Sequence, residues 1–300
     1  MSFEGKTALI TGGVSGIGFG IARAFAAAGI DLVLTYRNDA YRAQAAEWFS
    51  AQRHPPPRFV ALDVTSRDRW HEVADAVGPV HILVNNAGVS VFGPTDAASF
   101  ADYDWIMGVN FGGVVNGLVT FIPRIKAQGA GGHIVNVASM AAYLPGPQAG
   151  IYTASKFAVR GLTECLRLNL APFGIGVSLM CPGLTRTNAW DSALRRPAAF
   201  AASGFAPADR AELERFGGAF EAGMDPLEVG EKTLAGMQEN RAVIFTHPEF
   251  AEDFHEIHRA SCAALPQEPV PEGRLHIEKL RRAALRAASE GKSIGLGDLT

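Results

Sequence analysis

The stretch that most limits what this chain can fold into lies at its start. A short apolar run, Thr7 to Ile10, passes through Thr11-Gly12-Gly13-Val14-Ser15-Gly16-Ile17-Gly18 directly into a segment of helical period. Ile17, Ile21, Ala24, Phe25 and Ala28 fall on one helical face and Gly29 supplies a stop, so the spacing predicts a helix over 16–28. Glycines at 12, 16 and 18 remove side chains where the backbone turns sharply. An anion such as a pyrophosphate can then approach the helix N-terminus, whose free N–H groups and positive dipole end attract it. The alternative is a glycine-rich turn with no ligand, but a strand before and a helix after are the context that phosphate binding requires.

Further along, Val-, Ile- and Leu-rich runs alternate with longer helical segments, the pattern of a parallel sheet covered on both faces. Strands are predicted at 7–10, 31–35, 59–62, 82–85, 134–137, 177–180 and 243–246, and a long helix from Tyr152 to Ala171, where Pro172 stops it. Together these predict an α/β fold, a Rossmann-type doubly wound seven-stranded parallel sheet with helices on both faces. Residues 1–250 form one domain, and the polar residues 251–300, helical in two pieces around a proline-rich break, extend it. A net charge of −3 spread over 300 residues offers no field for nucleic acid, and no uninterrupted apolar run reaches the roughly 18 residues of a membrane span. The N-terminus lacks the order of a secretory signal, and the three cysteines are isolated, which points to the cytoplasm.

Ser139 closes the fifth predicted strand, and Tyr152 and Lys156 follow at i,i+4 spacing on one helical face. An ammonium beside a phenol favours the phenolate, which suits acid–base work near neutrality. Such a pair alone often only decorates a solvated face. Its position after the phosphate loop is what raises it to a catalytic candidate.

The GxxxGxG spacing, Asn85-Asn86-Ala87-Gly88, Ser139, the Tyr152–Lys156 pair and Pro182-Gly183 with Thr187 resemble, in type and order, the short-chain dehydrogenase/reductase family. That resemblance implies a nicotinamide-dependent alcohol dehydrogenase or ketoreductase. Tyr152 would exchange the substrate proton, Ser139 would hold the substrate oxygen, Lys156 would bind the nicotinamide ribose and Asn110 would order a water leading to the lysine. The catalytic set is therefore Asn110, Ser139, Tyr152 and Lys156. The cofactor set is Gly12, Ser15, Gly16, Ile17, Gly18, Arg37, Asp63, Val64, Asn86, Ala87, Gly88, Tyr152, Lys156, Pro182, Gly183 and Thr187. Stretches 103–110, 117–123 and 195–197 further resemble bacterial aryl-ether Cα-dehydrogenase-like members that act on bulky secondary alcohols. Family members often form dimers or tetramers, so the resemblance implies a homodimer or homotetramer, through 103–128 and 152–171.

In dinucleotide folds an acid after the second strand selects the ribose hydroxyl of NAD, whereas arginine accommodates the 2′-phosphate of NADP. Tyr36-Arg37 stands there, so NADP(H) is favoured and NAD(H) stays possible, with Asp39 close behind as a partner for Arg37. Residues 184–225 carry Trp190, Phe200, Phe205, Phe216 and Phe220, either a substrate lid or the core of two small helices. Met140, Tyr143 and Leu144 are further candidates for the pocket wall. His255 and His258 are read as a solvated helical face, and His81 and His133 as capped or exposed strand-entrance residues; no metal site is expected. The expected partner is thus a small alcohol or ketone. A catalytically silent NAD(P) sensor is the alternative from another class, and a sugar-nucleotide epimerase is a third, disfavoured by the glycine spacing.

Overall fold

Because each strand feeds a helix that must return across the sheet, successive strands end up parallel. The computed structural model describes residues 2–52, 54–207 and 209–299. Its strands are β1 (Thr7–Ile10), β2 (Asp31–Tyr36), β3 (Arg58–Ala61), β4 (Ile82–Asn85), β5 (Gly132–Val137), β6 (Ile175–Cys181) and β7 (Val243–Phe245). They pair in the order β3-β2-β1-β4-β5-β6-β7, every pair parallel, which is the doubly wound Rossmann-type sheet. The α-helices are α1 (Gly16–Ala27), α2 (Asp39–Ala51), α3 (Arg67–Val77), α4 (Phe100–Met107), α5 (Gly113–Gln128), α6 (Gly150–Leu170), α7 (Arg210–Gly218), α8 (Pro226–Gln238), α9 (Ala251–Ala263) and α10 (Glu272–Ser289).

Strand order reverses between β1 and β4, and a ligand crevice opens there beyond the strands' C-terminal ends. Period-two alternation sorts each strand between two cores. Leu9 and Leu83 join Trp70, Trp105 and Phe121 on one face, whereas Ile10, Ile82 and Val84 join Phe25, Phe49 and Met237 on the other. β5 and β6 each begin two residues before the predicted start, because the ladder continues past the apolar run through Gly132 opposite Ile175 and His133 opposite Gly176. α6 likewise starts before Tyr152, and its end tightens into a 3-10 turn at Ala171–Phe173 that accommodates Pro172.

Helices α4 and α5 are joined by a π-helical turn, Gly108–Gly112. The resulting rod, Phe100–Gln128, is 29 residues long and apolar enough to cross a membrane, yet 56% of its most apolar window is buried inside this fold, as in a core helix. Between β6 and β7, residues 184–225 are closed at their stem. Met224 N donates to Leu184 O at 2.9 Å and Arg186 N to Met224 O at 3.0 Å. In the extension, α9 buries no residue fully, while α10 returns to pack Ala284 and Ala288 near α6. His133 departs from the expected exposed or capped state. It is fully buried with Nε2 2.9 Å from Ser178 Oγ, and burial, then the Arg167 charge, lowers its pKa to about 3.

Candidate active site

The glycine loop is held by the end of β4. Thr11 Oγ1 accepts from Asn86 N at 2.8 Å and Ala87 N at 2.9 Å, and Asn86 Nδ2 donates to Thr11 O at 2.8 Å. Gly12 and Gly16 adopt φ of 63° and 51°, a region side chains rarely enter. A Cβ on Gly18 would lie 2.4 Å from Gly12 O, and one on Gly16 would meet Thr187 Cγ2 at 3.3 Å. Ser15 occupies the N-cap of α1, its carbonyl accepting from Phe19 N at 3.1 Å but its side chain making no bond to the first turn, which leaves those N–H groups without a side-chain cap. A backbone cradle with no room for side chains, at an uncapped helix N-terminus, fits a pyrophosphate. Ser15, Gly16, Ile17 and Gly18 therefore sit where a dinucleotide would be held, with Thr187 above them.

Beyond the end of β3, Asp63 is committed to a turn, its Oδ1 accepting from Thr65 N at 2.9 Å and Thr65 Oγ1 at 2.7 Å. Val64 is buried under α5, where a Cβ on Gly113 would overlap it. Arg37 lies 3.7 Å from Asp63 Oδ2, both side chains nearly half-exposed. The pairing considered from sequence is therefore replaced: Asp39 binds Arg42 at 3.1 Å, one helical turn along α2, because Arg42 shares its helical face.

Deeper in the crevice the four candidate catalytic residues meet. Lys156 is 5% exposed, and its Nζ donates to Val137 O at 3.1 Å and lies 5.6 Å from the Tyr152 ring centroid. Asn110, in the π-helical turn, accepts from Val89 N at 2.8 Å and donates to Val89 O at 3.0 Å and Ser155 Oγ at 3.1 Å. A Cβ on Gly88 would lie 3.2 Å from Asn110 Oδ1 and 3.8 Å from Lys156 Nζ, so Gly88 joins the lysine to the cofactor crevice. Ser139 begins a 3-10 turn, accepts from Ala141 N at 3.1 Å and stands close enough to the Tyr152 phenol to lower its pKa. Pro182 O accepts from Met140 N at 2.9 Å, which ties the Pro182-Gly183 segment to the serine's turn.

The protonation states differ from expectation. Burial brings Lys156 down to about 8, with the neighbouring Cys181 pulling the other way. Burial likewise pushes Tyr152 above its ordinary value, the Ser139 hydrogen bond lowers it and Cys181 raises it. Lys156 is not among the groups that shift the phenol, and the net direction is upward because a water-excluding site penalises the phenolate more than its surroundings favour it. The phenol is therefore held in its neutral, proton-bearing form.

The aromatic segment packs over the loop after β4. Phe216 meets Phe92 edge-on at 5.2 Å and Phe220 at 5.5 Å, Trp190 fills the space beside Gly217, and Phe205 lies against Gly93. Met140 is buried, Leu144 packs on the same core, and Tyr143 turns into a cluster with Phe245 at 5.4 Å and Phe254 at 5.0 Å. Among the described residues no group of three or more His, Cys, Asp or Glu could hold a metal.

Some functional positions escaped the sequence. His247, just after β7, accepts from Gly183 N at 3.0 Å through Nδ1 and sits 2.8 Å from Leu184 O through Nε2, clamping the segment beyond Pro182. Its signal was a histidine beside a proline at a strand's C-terminal end. Tyr41 and Asn188 hydrogen-bond across the opening above Ser15, with Arg195 Nη1 3.4 Å from the same phenol.

Residues 6–197 match the short chain dehydrogenase family. Over 306 aligned residues the chain is 34% identical to the C alpha-dehydrogenase of Sphingobium sp. strain SYK-6, covering 98% of this chain and 99% of that protein. A short chain dehydrogenase/reductase from Burkholderia phymatum, solved in complex with NAD, superposes with a TM-score of 0.81 at 34% identity, covering 90% of this chain and 99% of the other. The bulky-bulky ketone specific alcohol dehydrogenase from Comamonas testosteroni gives a TM-score of 0.67 at 26% identity, with 89% and 97% covered.

Proposed function

The chain belongs to the short-chain dehydrogenase family and is an oxidoreductase of that family, and from this premise we propose that it interconverts a bulky, aromatic or hydrophobic secondary alcohol and its ketone, with NADP(H) favoured. The observation that carries the reading is the meeting of Ser139, Tyr152, Lys156 and Asn110 beside Gly88, at the crevice end of β4, β5 and β6. When bound, the nicotinamide supplies or accepts the hydride. The chain's own part is protonic and positional. Tyr152 Oη gives its proton to the substrate oxygen in reduction and takes it in oxidation, and Ser139 Oγ holds that oxygen by a hydrogen bond. Lys156, steadied by Val137 O, holds the nicotinamide ribose and the charge balance behind the phenol, and Asn110 fixes the backbone at Val89 next to it.

The substrate size follows from the aromatic surface formed by Phe92, Phe205, Phe216 and Phe220, and the likeness to the C alpha-dehydrogenase and to the bulky-ketone enzyme supports it. The NADP preference rests on Arg37. Its ion pair with Asp63 is long and half-exposed, so a phosphate dianion at the end of β2 would compete well for the guanidinium. We assign the oligomer, a homodimer or homotetramer, to the α4–α6 side, where Phe100, Val119 and Phe157 stand exposed.

The test follows reduced-nicotinamide absorbance with aryl secondary alcohols and ketones, alongside dinucleotide binding by fluorescence. Tyr152→Phe should retain binding and lose turnover by on the order of 10²-fold or more. Full turnover in that variant would remove the acid–base role. Binding without turnover in the unaltered protein, across the panel, would favour the sensor.

A further inference from the structure

Asp102 is a carboxylate with no solvent exposure, on α4 and outside the catalytic cluster. Part of its environment is ordinary: with Ser99 it forms a capping box at the start of α4, accepting from Ser99 N at 2.9 Å. A cap does not require burial. The remaining partners come from residues about a hundred positions later, in the segment between β6 and β7. Arg196 Nη2 lies 2.7 Å from Oδ1, Ser203 Oγ donates to Oδ1 at 2.7 Å, and Gly204 N donates to Oδ2 at 2.9 Å.

An isolated buried carboxylate is strongly disfavoured, and only these partners offset its desolvation. Burial pushes its pKa up, but the bonds from Ser203, Ser99 and Gly204 outweigh it and hold the group ionised. The ionised carboxylate and the docked segment therefore stabilise each other. Arg196 is further fixed, its guanidinium 4.6 Å from the Trp105 ring centroid and its Nη1 donating to Phe200 O at 3.2 Å.

Docking has a defined consequence at the site. Gly204 sits so tightly that a Cβ there would lie 1.9 Å from Ala97 O, and the next residue, Phe205, lays its ring on Gly93, where a Cβ would lie 2.4 Å from the ring. Gly93 N donates to Gln148 O at 2.7 Å and Gly93 bridges to Ala149, the N-cap of the helix that carries Tyr152. On the other side, Ser90 N donates to Ser192 Oγ at 3.1 Å.

We propose that Asp102 is a positioning residue of the substrate site: by anchoring residues 196–205 it sets Phe205 and the 89–93 loop as the wall against which a bulky, apolar alcohol or ketone is held. The inference deepens the alcohol–ketone reading and rests on it. Without the anchor, the wall must be assembled at each binding event, so the loss appears in the KM of large substrates and spares the chemical step.

The experiment compares Asp102→Asn and Ser203→Ala with the unaltered protein, using diphenylmethanol as the large alcohol and 2-propanol as the small one at saturating NADP+. Expected are a KM for diphenylmethanol raised about tenfold or more, kcat within twofold, and unchanged values for 2-propanol and for NADP+ binding. Trypsin should cut after Arg195, at the start of the docked segment, faster in both variants. Ser203→Ala leaves the α4 cap untouched, so it carries the test if Asp102→Asn does not fold. Equal loss for large and small alcohols, or no change in either variant, overturns the proposal. Should the unaltered protein turn over neither alcohol, the alcohol–ketone reading fails instead, and unchanged trypsin cleavage at Arg195 would then separately overturn the anchor.

Discussion

Replacing Lys156 by methionine should alter stability by an amount that depends on pH, because the lysine is 5% exposed and burial has brought its pKa from 10.5 to about 8. A lysine whose folded pKa lies below its unfolded value destabilises the fold where it is charged in both states, here below pH 8. The penalty fades as pH rises from 8 towards 10.5. A displacement of this size amounts to about 3 kcal/mol at pH 7, decaying to about 1 kcal/mol at pH 10. Methionine fills similar space without a charge. It also forfeits the donation to Val137 O, at a cost of about 1–3 kcal/mol; the ammonium donates more strongly than the amine, and that pH-dependent part is already contained in the lysine's folded pKa. Tyr152 and Cys181, both raised by burial, lose stability as pH climbs past their unfolded values, but they do so in both proteins and cancel to first order in the difference. Urea unfolding of both proteins at pH 7, 8, 9 and 10 therefore reads the lysine alone. The stability of Lys156→Met relative to the unaltered chain should fall by about 2 kcal/mol between pH 7 and pH 10. A difference that stays flat across that range would refute the argument that burial keeps this amine near neutrality.

Three other outcomes are expected. Gly18→Ala places a methyl 2.4 Å from Gly12 O and 2.5 Å from Asn86 Nδ2, so it should cost about 1–3 kcal/mol in urea unfolding and weaken dinucleotide binding, whereas Gly161→Ala on α6, with nothing within 4 Å, should do neither. Arg37→Ala should raise KM for NADP+ on the order of tenfold to a hundredfold and leave NAD+ unchanged; parallel loss for both cofactors in steady-state kinetics would count against a phosphate contact. His247→Ala strips partners from Gly183 N and Leu184 O and should cost about 1–3 kcal/mol, with cofactor KM rising while the Tyr152-dependent step is spared; calorimetry of dinucleotide binding checks it.

The sheet was legible because each strand announces itself twice, by an apolar run and by the residues that stop it. Gly12 to Gly18 could be read locally, since the strand, turn and helix that define the loop are contiguous. Ser139, Tyr152 and Lys156 were readable for a related reason, each lying at a strand end or in the first turns of a helix whose position the strand count fixes. Asp102 was not readable. Its bonds to Ser203 and Gly204 span 101 and 102 residues, and in sequence it looks like an ordinary capping acid. His247 was missed on the same grounds, its partner Gly183 lying 64 residues away. The direction of the Tyr152 shift also depends on burial, which the i,i+4 spacing of a phenol and an ammonium does not encode.

The closed stem at Leu184–Arg186 and Gly223–Met224 has a consequence for how such a chain diversifies. Because both ends of this segment meet in backbone hydrogen bonds right after β6, the sheet experiences it as a short connection whatever its length or content. Lengthening a loop whose ends are already pinned costs only about 0.6 kcal/mol per doubling. Its interior can therefore be exchanged as a cassette while the strands, the glycine loop and the Ser139–Tyr152–Lys156 cluster stay as they are. What would have to travel with the cassette is its socket on α4, the carboxylate that receives it.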